Sequence, residues 1–242
     1  IPRSVALSLF GQMEVSTIEK PEARIPVKTF LVPTSKKNDS ISWLRQKLIE
    51  GGQIFWICPL IDESDSDNPL ISVERTYSEV KELFKEFDVE FLHGKIKSKE
   101  KDRILEDFKN NKTQILVSTT VIEVGIDMPN ANIMIIENAE MFGLAQLHQL
   151  RGRVGRNNQR AWCLLYTKLE NDENVMARLR YFETENNGIK IAEYDLSQRG
   201  PGEVYGTIQA GIPNLKVANF SNLELMNITR RAAEIIYKSK IE

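Results

Sequence analysis

Residues 149–156 read QLRGRVGR. Arg151, Arg153 and Arg156 sit within six residues, Arg160 follows, and the whole chain carries a net charge of −2. Arginine so crowded serves either a solvated face with surface ion pairs or a cleft that grips an anion. Gly152 and Gly155 favour the cleft, because a backbone without Cβ atoms permits close approach and lets the side chains at 153 and 156 point inward. Two guanidiniums in one cleft match a polyphosphate, whose oxygens accept several of their N–H groups at once. Set against a γ-phosphate, such an arginine speeds phosphoryl transfer by a factor on the order of 10³–10⁵.

A second stretch, ILVSTTVIEVGIDMPNA (115–131), ends an apolar strand in Ser118, Thr119 and Thr120 and continues to Gly125-Ile126-Asp127. Hydroxyls and backbone N–H groups at a strand's carboxyl end suit phosphates. An aspartate just after a glycine can reach a ribose hydroxyl. The plain alternative is a strand, a helical turn and a capping Asp.

The composition, 41% hydrophobic and 27% charged, is that of a folded globular chain. Cys58 and Cys163 both lie in apolar stretches and read as reduced core thiols. With His93 and His148 as the two histidines and no Cys/His cluster, a zinc site is not expected. No apolar run nears the roughly 18 residues of a membrane span. The expected setting is the cytoplasm, near the bacterial nucleoid, and the lack of an initiator Met reads as a fragment or processed product. A net charge of −2 does not advertise nucleic acid, so any such surface must be a local patch.

Periodicity supplies the frame. Segments 27–33, 53–58, 89–93, 114–118, 132–136 and 161–167 read as strands with continuously apolar cores. Between them lie helical patterns: one capped by Ser40, with Ile41, Leu44 and Leu48 on one face; one opened by a Thr76/Glu79 capping box, with Val80, Leu83, Phe84 and Phe87; one capped by Ser98, with Ile104, Leu105 and Phe108; and one over 144–151. The alternation predicts an α/β fold, a parallel sheet with helices on both faces and its working edge at the carboxyl ends of the strands. Residues 1–26 read as a connector, 27–167 as the α/β domain, and 168–242 as a mostly helical region holding the glycine-rich QRGPGEVYGTIQAG (198–211) and a last helix opened by Ser221 and Glu224.

Taken in order, 115–131 and 146–156 resemble motifs V and VI of superfamily 2 helicases. FLHGKIKSKEKDRILEDFK (91–109) resembles the segment before motif V, and IPRS at the start resembles the tail of motif III. GLAQLHQLRGRVGR (143–156) and DLSQRGPGEVYGTIQAG (195–211) are more narrowly similar to the RecG family of branched-DNA translocases. The glycine-rich element resembles the TRG motif shared with the transcription-repair factor Mfd. Pro201, where Mfd typically has Ala, leans toward the RecG family.

The resemblance implies a RecA-like second lobe of a P-loop-type motor, followed by a TRG helical hairpin, loop and helix. It implies that Arg153 and Arg156 face the γ-phosphate of ATP, with Gln149 heading their motif, and that Gly125 and Asp127 contact the nucleotide. It places Thr119, Thr120, His93 and Gly94 on DNA, and gives Arg178, Arg199 and Gln209 the coupling of hydrolysis to movement. His148 reads as a packing or interlobe residue, and a strand-end histidine bonded locally remains open for His93.

No G-x-x-x-x-G-K-[S/T] occurs; Gly94-Lys95 is followed by Ile96. The Mg²⁺–ATP site therefore needs a first lobe outside this chain. IFWICPLIDESD (54–65) mimics a strand ending in a Walker B acid pair, but Pro59 breaks it and Asp62 and Glu63 read as a solvated loop. The expected protein is a monomer acting on branched DNA together with a first helicase lobe and an N-terminal DNA-binding domain of the same polypeptide. The expected chain on its own hydrolyses no ATP. A non-catalytic adaptor lobe and an Mfd-like lobe are the alternatives.

Overall fold

The computed structural model describes residues 25–59, 70–119, 130–155, 159–199 and 223–239. Six strands form one sheet: β1 (Lys28–Leu31), β2 (Gln53–Ile57), β3 (Val89–Leu92), β4 (Ile115–Ser118), β5 (Ala131–Ile136) and β6 (Trp162–Leu165). Their order is β1-β6-β5-β2-β4-β3, and every pairing is parallel. Helices α1 (Lys37–Ile49), α2 (Leu70–Leu83), α3 (Ser98–Lys109), α4 (Leu144–Arg151) and α5 (Glu173–Thr184) belong to the same compact unit, Pro21–Asn186. Helices α6 (Gly188–Arg199) and α7 (Leu223–Lys238) fall in a second unit.

Parallel pairing in register lines side chains into rows across the sheet. One row runs Phe91, Val117, Trp56, Ile135, Leu164, and α1 and α2 cover its face with Leu44, Leu48, Val73 and Val80, joined by Phe84 just after α2. The opposite row runs Leu116, Phe55, Met134, Cys163, Thr29, and on that face the Phe55 and Phe108 rings meet at 4.9 Å between centroids. The inner strands are covered on both faces, so they read as apolar runs without alternation, while the edge strands leave Phe30 exposed and Glu90 half-buried.

Two capping signals are overridden. α1 begins at Lys37, so Ser40 lies inside it; its hydroxyl donates to the Lys37 carbonyl and meets the Tyr166 hydroxyl at 2.7 Å. α2 runs straight through Thr76 and Glu79. The third holds approximately: α3 starts at Ser98 with Lys97 as its cap. The compact unit also continues past 167, because α5 packs against β1 and its start is capped by Asp172, whose carboxylate accepts from the N–H groups of Asn174 and Val175. Among the described residues, no helix is long and apolar enough to cross a membrane, and no group of three or more His, Cys, Asp or Glu could hold a metal ion.

Phe84 is fully buried against Trp56, with ring centroids 6.1 Å apart. Phe84→Ala is expected to cost about 3–5 kcal/mol in urea unfolding; a loss under about 1 kcal/mol would contradict this packing. Burial pushes the Cys58 and Cys163 thiols from 9.0, and the Tyr166 hydroxyl from 10.0, up to about 12. A raised native pKa favours the protonated form, so its stabilisation is complete below the unfolded-state value and is lost as pH rises through the native one. Unfolding free energy is therefore expected to fall between roughly pH 9 and 12. A flat profile across that window would show that the three groups are solvated.

Candidate functional site

The arginine loop is placed by α4. Leu144, Leu147 and Leu150 bury one face of this helix, which returns from the carboxyl end of β5 to the amino ends of the strands. Gly152 caps it in ordinary helical geometry. Gly155 is different: its φ is +72°, and a Cβ there would lie 2.7 Å from the Ala161 Cβ. Its N–H donates to the Ala131 carbonyl at 3.3 Å, pinning the loop to the first residue of β5. Arg153 is half-buried at this edge, with its N–H on the Leu150 carbonyl at 2.9 Å, and Gln149 is half-buried one turn earlier. Arg156 lies outside the described residues.

The structure separates Arg151 from its neighbours. Its side chain is 3% exposed and turns into the protein. One guanidinium nitrogen donates to Thr29 Oγ1 at 3.2 Å and to the Phe182 carbonyl at 3.0 Å; the other donates to the Glu185 carbonyl at 2.9 Å and meets His148 Nδ1 at 3.2 Å. Because Arg carries donors only, Nδ1 of His148 is the acceptor. The Phe182 ring centroid lies 4.1 Å from the guanidinium carbon. Burial lowers the Arg151 pKa, from a starting point so high that the charge persists. A buried ion costs several kcal/mol to desolvate, and here dipoles and a ring offset that cost, each charge-assisted bond contributing about 1.5–3 kcal/mol.

Arg178 makes a second tie in the same unit. From α5 it donates to the Phe142 carbonyl at 2.8 Å and the Glu140 carbonyl at 2.6 Å, in the turn that precedes α4. It is no free surface charge. Arg151 binds the end of α5 from α4, and Arg178 binds the approach to α4 from α5.

The carboxyl edge holds a different set. His93 and Thr119 follow the paired ends of β3 and β4, where Leu92 lies opposite Ser118. Thr119 is 3% exposed, and its carbonyl accepts from the Ser118 hydroxyl. His93 is half-buried, stacks on Phe91 at 4.9 Å between centroids, and its Nδ1 accepts from the Lys95 N–H at 3.3 Å. Gly94 is exposed beside it. Lys95, Lys97, Lys99 and Lys101 then follow along the turn and the first turn of α3, and none makes an ion pair among the described residues. Cations at a helix amino terminus oppose its dipole, so this cluster is retained against a local cost. Sequence reasoning missed it because the search for positive charge fixed on arginine; alternate lysines in KIKSKEK were the signal.

A cavity of about 130 Å³ opens where β2 and β5 lie side by side and their following connections diverge, the usual ligand crevice of such sheets. Lys37 faces Glu137 across it at 3.2 Å, so its lining is close to neutral. The expectation of one working edge is therefore corrected: Arg153 stands at the amino ends of the strands, and His93, Gly94 and Thr119 at the carboxyl ends. The reason is that α4 carries the chain back across the sheet before the arginines occur. Thr120, Gly125, Asp127, Gln209 and the side chain of Arg199 lie outside the described residues.

Comparisons with known proteins agree with this architecture. Residues 41–158 match the helicase conserved C-terminal domain, and residues 185–240 match the C-terminal part of domain 3 of the ATP-dependent DNA helicase RecG. The RecG of Thermotoga maritima is 48% identical over 244 residues, covering 100% of this chain and 31% of that protein. The RecG of Aquifex aeolicus is 44% identical over 246 residues, covering 99% and 31%. A solved structure of RecG bound to a three-way DNA junction superposes with a TM-score of 0.71 at 44% identity, over 93% of this chain and 29% of that one. The chain thus spans about a third of the length of these relatives. With a RecA-like helicase C-terminal lobe and a RecG-specific C-terminal region in sequence order, the chain belongs to the RecG family.

Proposed function

We propose that the chain is the second motor lobe (27–167) and coupling region (168–242) of an ATP-dependent translocase that remodels branched DNA. The observation that carries this reading is the anchorage of the arginine loop. Gly155 on Ala131 fixes Arg153 at the strand end that, in sequence, Gly125 and Asp127 immediately precede. A nucleotide bound there would meet the guanidiniums of Arg153 and Arg156 on its phosphates and the Asp127 carboxylate on its ribose. The arginines would stabilise charge spreading over the γ-phosphate oxygens, while the phosphate-cradling loop and Mg²⁺ would come from a first lobe.

On the opposite edge, the lysines at 95, 97, 99 and 101 would neutralise DNA phosphates beside His93 and Gly94, with Thr119 and Thr120 behind them. Phosphate contacts of this kind set register without reading sequence. Arg178, with Arg199 and Gln209, would pass lobe movement onward. The junction-bound RecG relative supports branched DNA as the substrate.

The test is ATP hydrolysis, with and without branched DNA, by the polypeptide carrying its N-terminal two-thirds. Hydrolysis should rise with branched DNA, and Arg153→Ala or Arg156→Ala should lower kcat by a factor on the order of 10³. Gln209→Ala should spare hydrolysis and uncouple fork remodelling, and the 242-residue chain alone should hydrolyse none. Wild-type rates in the arginine variants would return the lobe to an adaptor role. Replacing Lys95, Lys97, Lys99 and Lys101 by Ala should weaken DNA binding and flatten the dependence of log K on log salt by about 0.9 per lost phosphate contact. An unchanged slope would remove the lysines from the DNA surface.

A further inference from the structure

Three aromatic rings are stacked along the open edge of the sheet. Tyr77 of α2 lies on Phe91 of β3, with centroids 5.4 Å apart and ring planes 21° from parallel. Phe91 in turn lies on His93, 4.9 Å away at 28°. β3 is an edge strand, and all three side chains are only half-buried. Phe91 and His93 are two residues apart in extended chain and so project from one face. The stack ends at His93: among the described residues no further ring covers its outer face. The imidazole is also fixed in orientation. Its Nδ1 accepts from the Lys95 N–H, so the neutral ring carries its proton on Nε2, which has no partner among the described residues.

The two ends of the stack differ in charge. At the Tyr77 end, a groove of about 930 Å³ sets Lys81, Lys85 and Lys112 among Glu82, Glu90 and Asp107. Lys85 is paired there with Glu82, and Lys112 with Asp107. At the His93 end, Lys95, Lys97, Lys99 and Lys101 follow, and none makes an ion pair among the described residues. A fixed aromatic surface that ends beside such cations matches a polyanion that also offers flat rings.

We propose that the outer face of His93 holds an unpaired nucleobase, while the lysines hold the phosphates of the same strand. This deepens the reading of the carboxyl edge as a DNA surface and rests on it. A base inside a duplex is already stacked on both faces and has none to give. An unpaired base has one free. The contact therefore selects single-stranded nucleotides at a branch over the paired arms, and it does so without reading sequence. Tyr77 and Phe91 hold the imidazole in place beforehand, so little side-chain freedom is lost on binding. Those two rings also pack on the core, and His93 extends the stack beyond it.

The full-length protein is titrated at one salt concentration with two three-way DNA junctions, one fully paired and one with a run of unpaired nucleotides at the branch. In the second, 2-aminopurine replaces each unpaired base in turn. His93→Leu keeps bulk and removes the ring. It should lower the preference for the gapped junction about tenfold and abolish a fluorescence quench that the wild type shows at one position. His93→Phe keeps a ring and should retain both the preference and the quench. Melting temperatures of both variants should stay near wild type. An unchanged preference in His93→Leu overturns the proposal. Equal losses in the Leu and Phe variants also overturn it, because they assign the preference to the imidazole N–H. So does equal weakening on both junctions with a lowered melting temperature, the signature of packing alone. Replacing the four lysines by Ala should weaken both junctions alike. Wild-type affinity for both in that variant would instead sink the DNA-edge reading, and this inference with it.

Discussion

The buried charge of Arg151 is the constraint on which this face of the protein turns. A guanidinium removed from water must find acceptors, and these acceptors come from β1, from α4 and from the last turn and exit of α5. None of the three can be displaced alone without leaving an ion unsolvated. The placement of α5 on the edge strand, the end of α4 and the start of the arginine loop are thereby set by one group. Arg178, reaching back from α5 to the Phe142 and Glu140 carbonyls, closes the same arrangement from the other side.

From that arrangement follows a division of labour across the sheet. The strands are short, four to six residues, and the inner ones, β6, β5, β2 and β4, are almost wholly buried, so they act as a rigid slab between two polar edges. At one edge Gly155, forced to a positive φ and too close to Ala161 for any Cβ, holds the arginine loop on Ala131. At the other edge, four lysines that make no ion pair among the described residues follow β3. The chain carries a net charge of −2, yet cations cluster locally at these edges, while others are paired, as at Arg103 with Glu90 and Asp107.

Much of the fold was legible in the sequence because both faces of a parallel sheet are dry: β2 and β5 announce themselves as unbroken apolar runs, and Ile104 and Phe108 mark the buried side of α3. The capping signals at Ser40 and Thr76 were not reliable, since packing against the sheet extends α1 and α2 beyond what local side-chain bonds would start. The site was legible by type but not by direction. Arg151 and Arg153 are two residues apart and chemically identical, and only the position of α5 decides which one turns inward. The lysine run was in plain view, yet that its side chains make no ion pair among the described residues is a property of the folded surface. Arg178 was marked for coupling by resemblance alone; its hold on the carbonyl of Phe142, 36 residues upstream, is a property of the fold.

The central claim is that the loop after α4 is a nucleotide contact. Amide hydrogen exchange on the full-length protein, compared with and without a non-hydrolysable ATP analogue while branched DNA is present, tests it most directly. Protection should rise in residues 149–155, with β5 unaffected. Identical exchange of 149–155 in both states would contradict it.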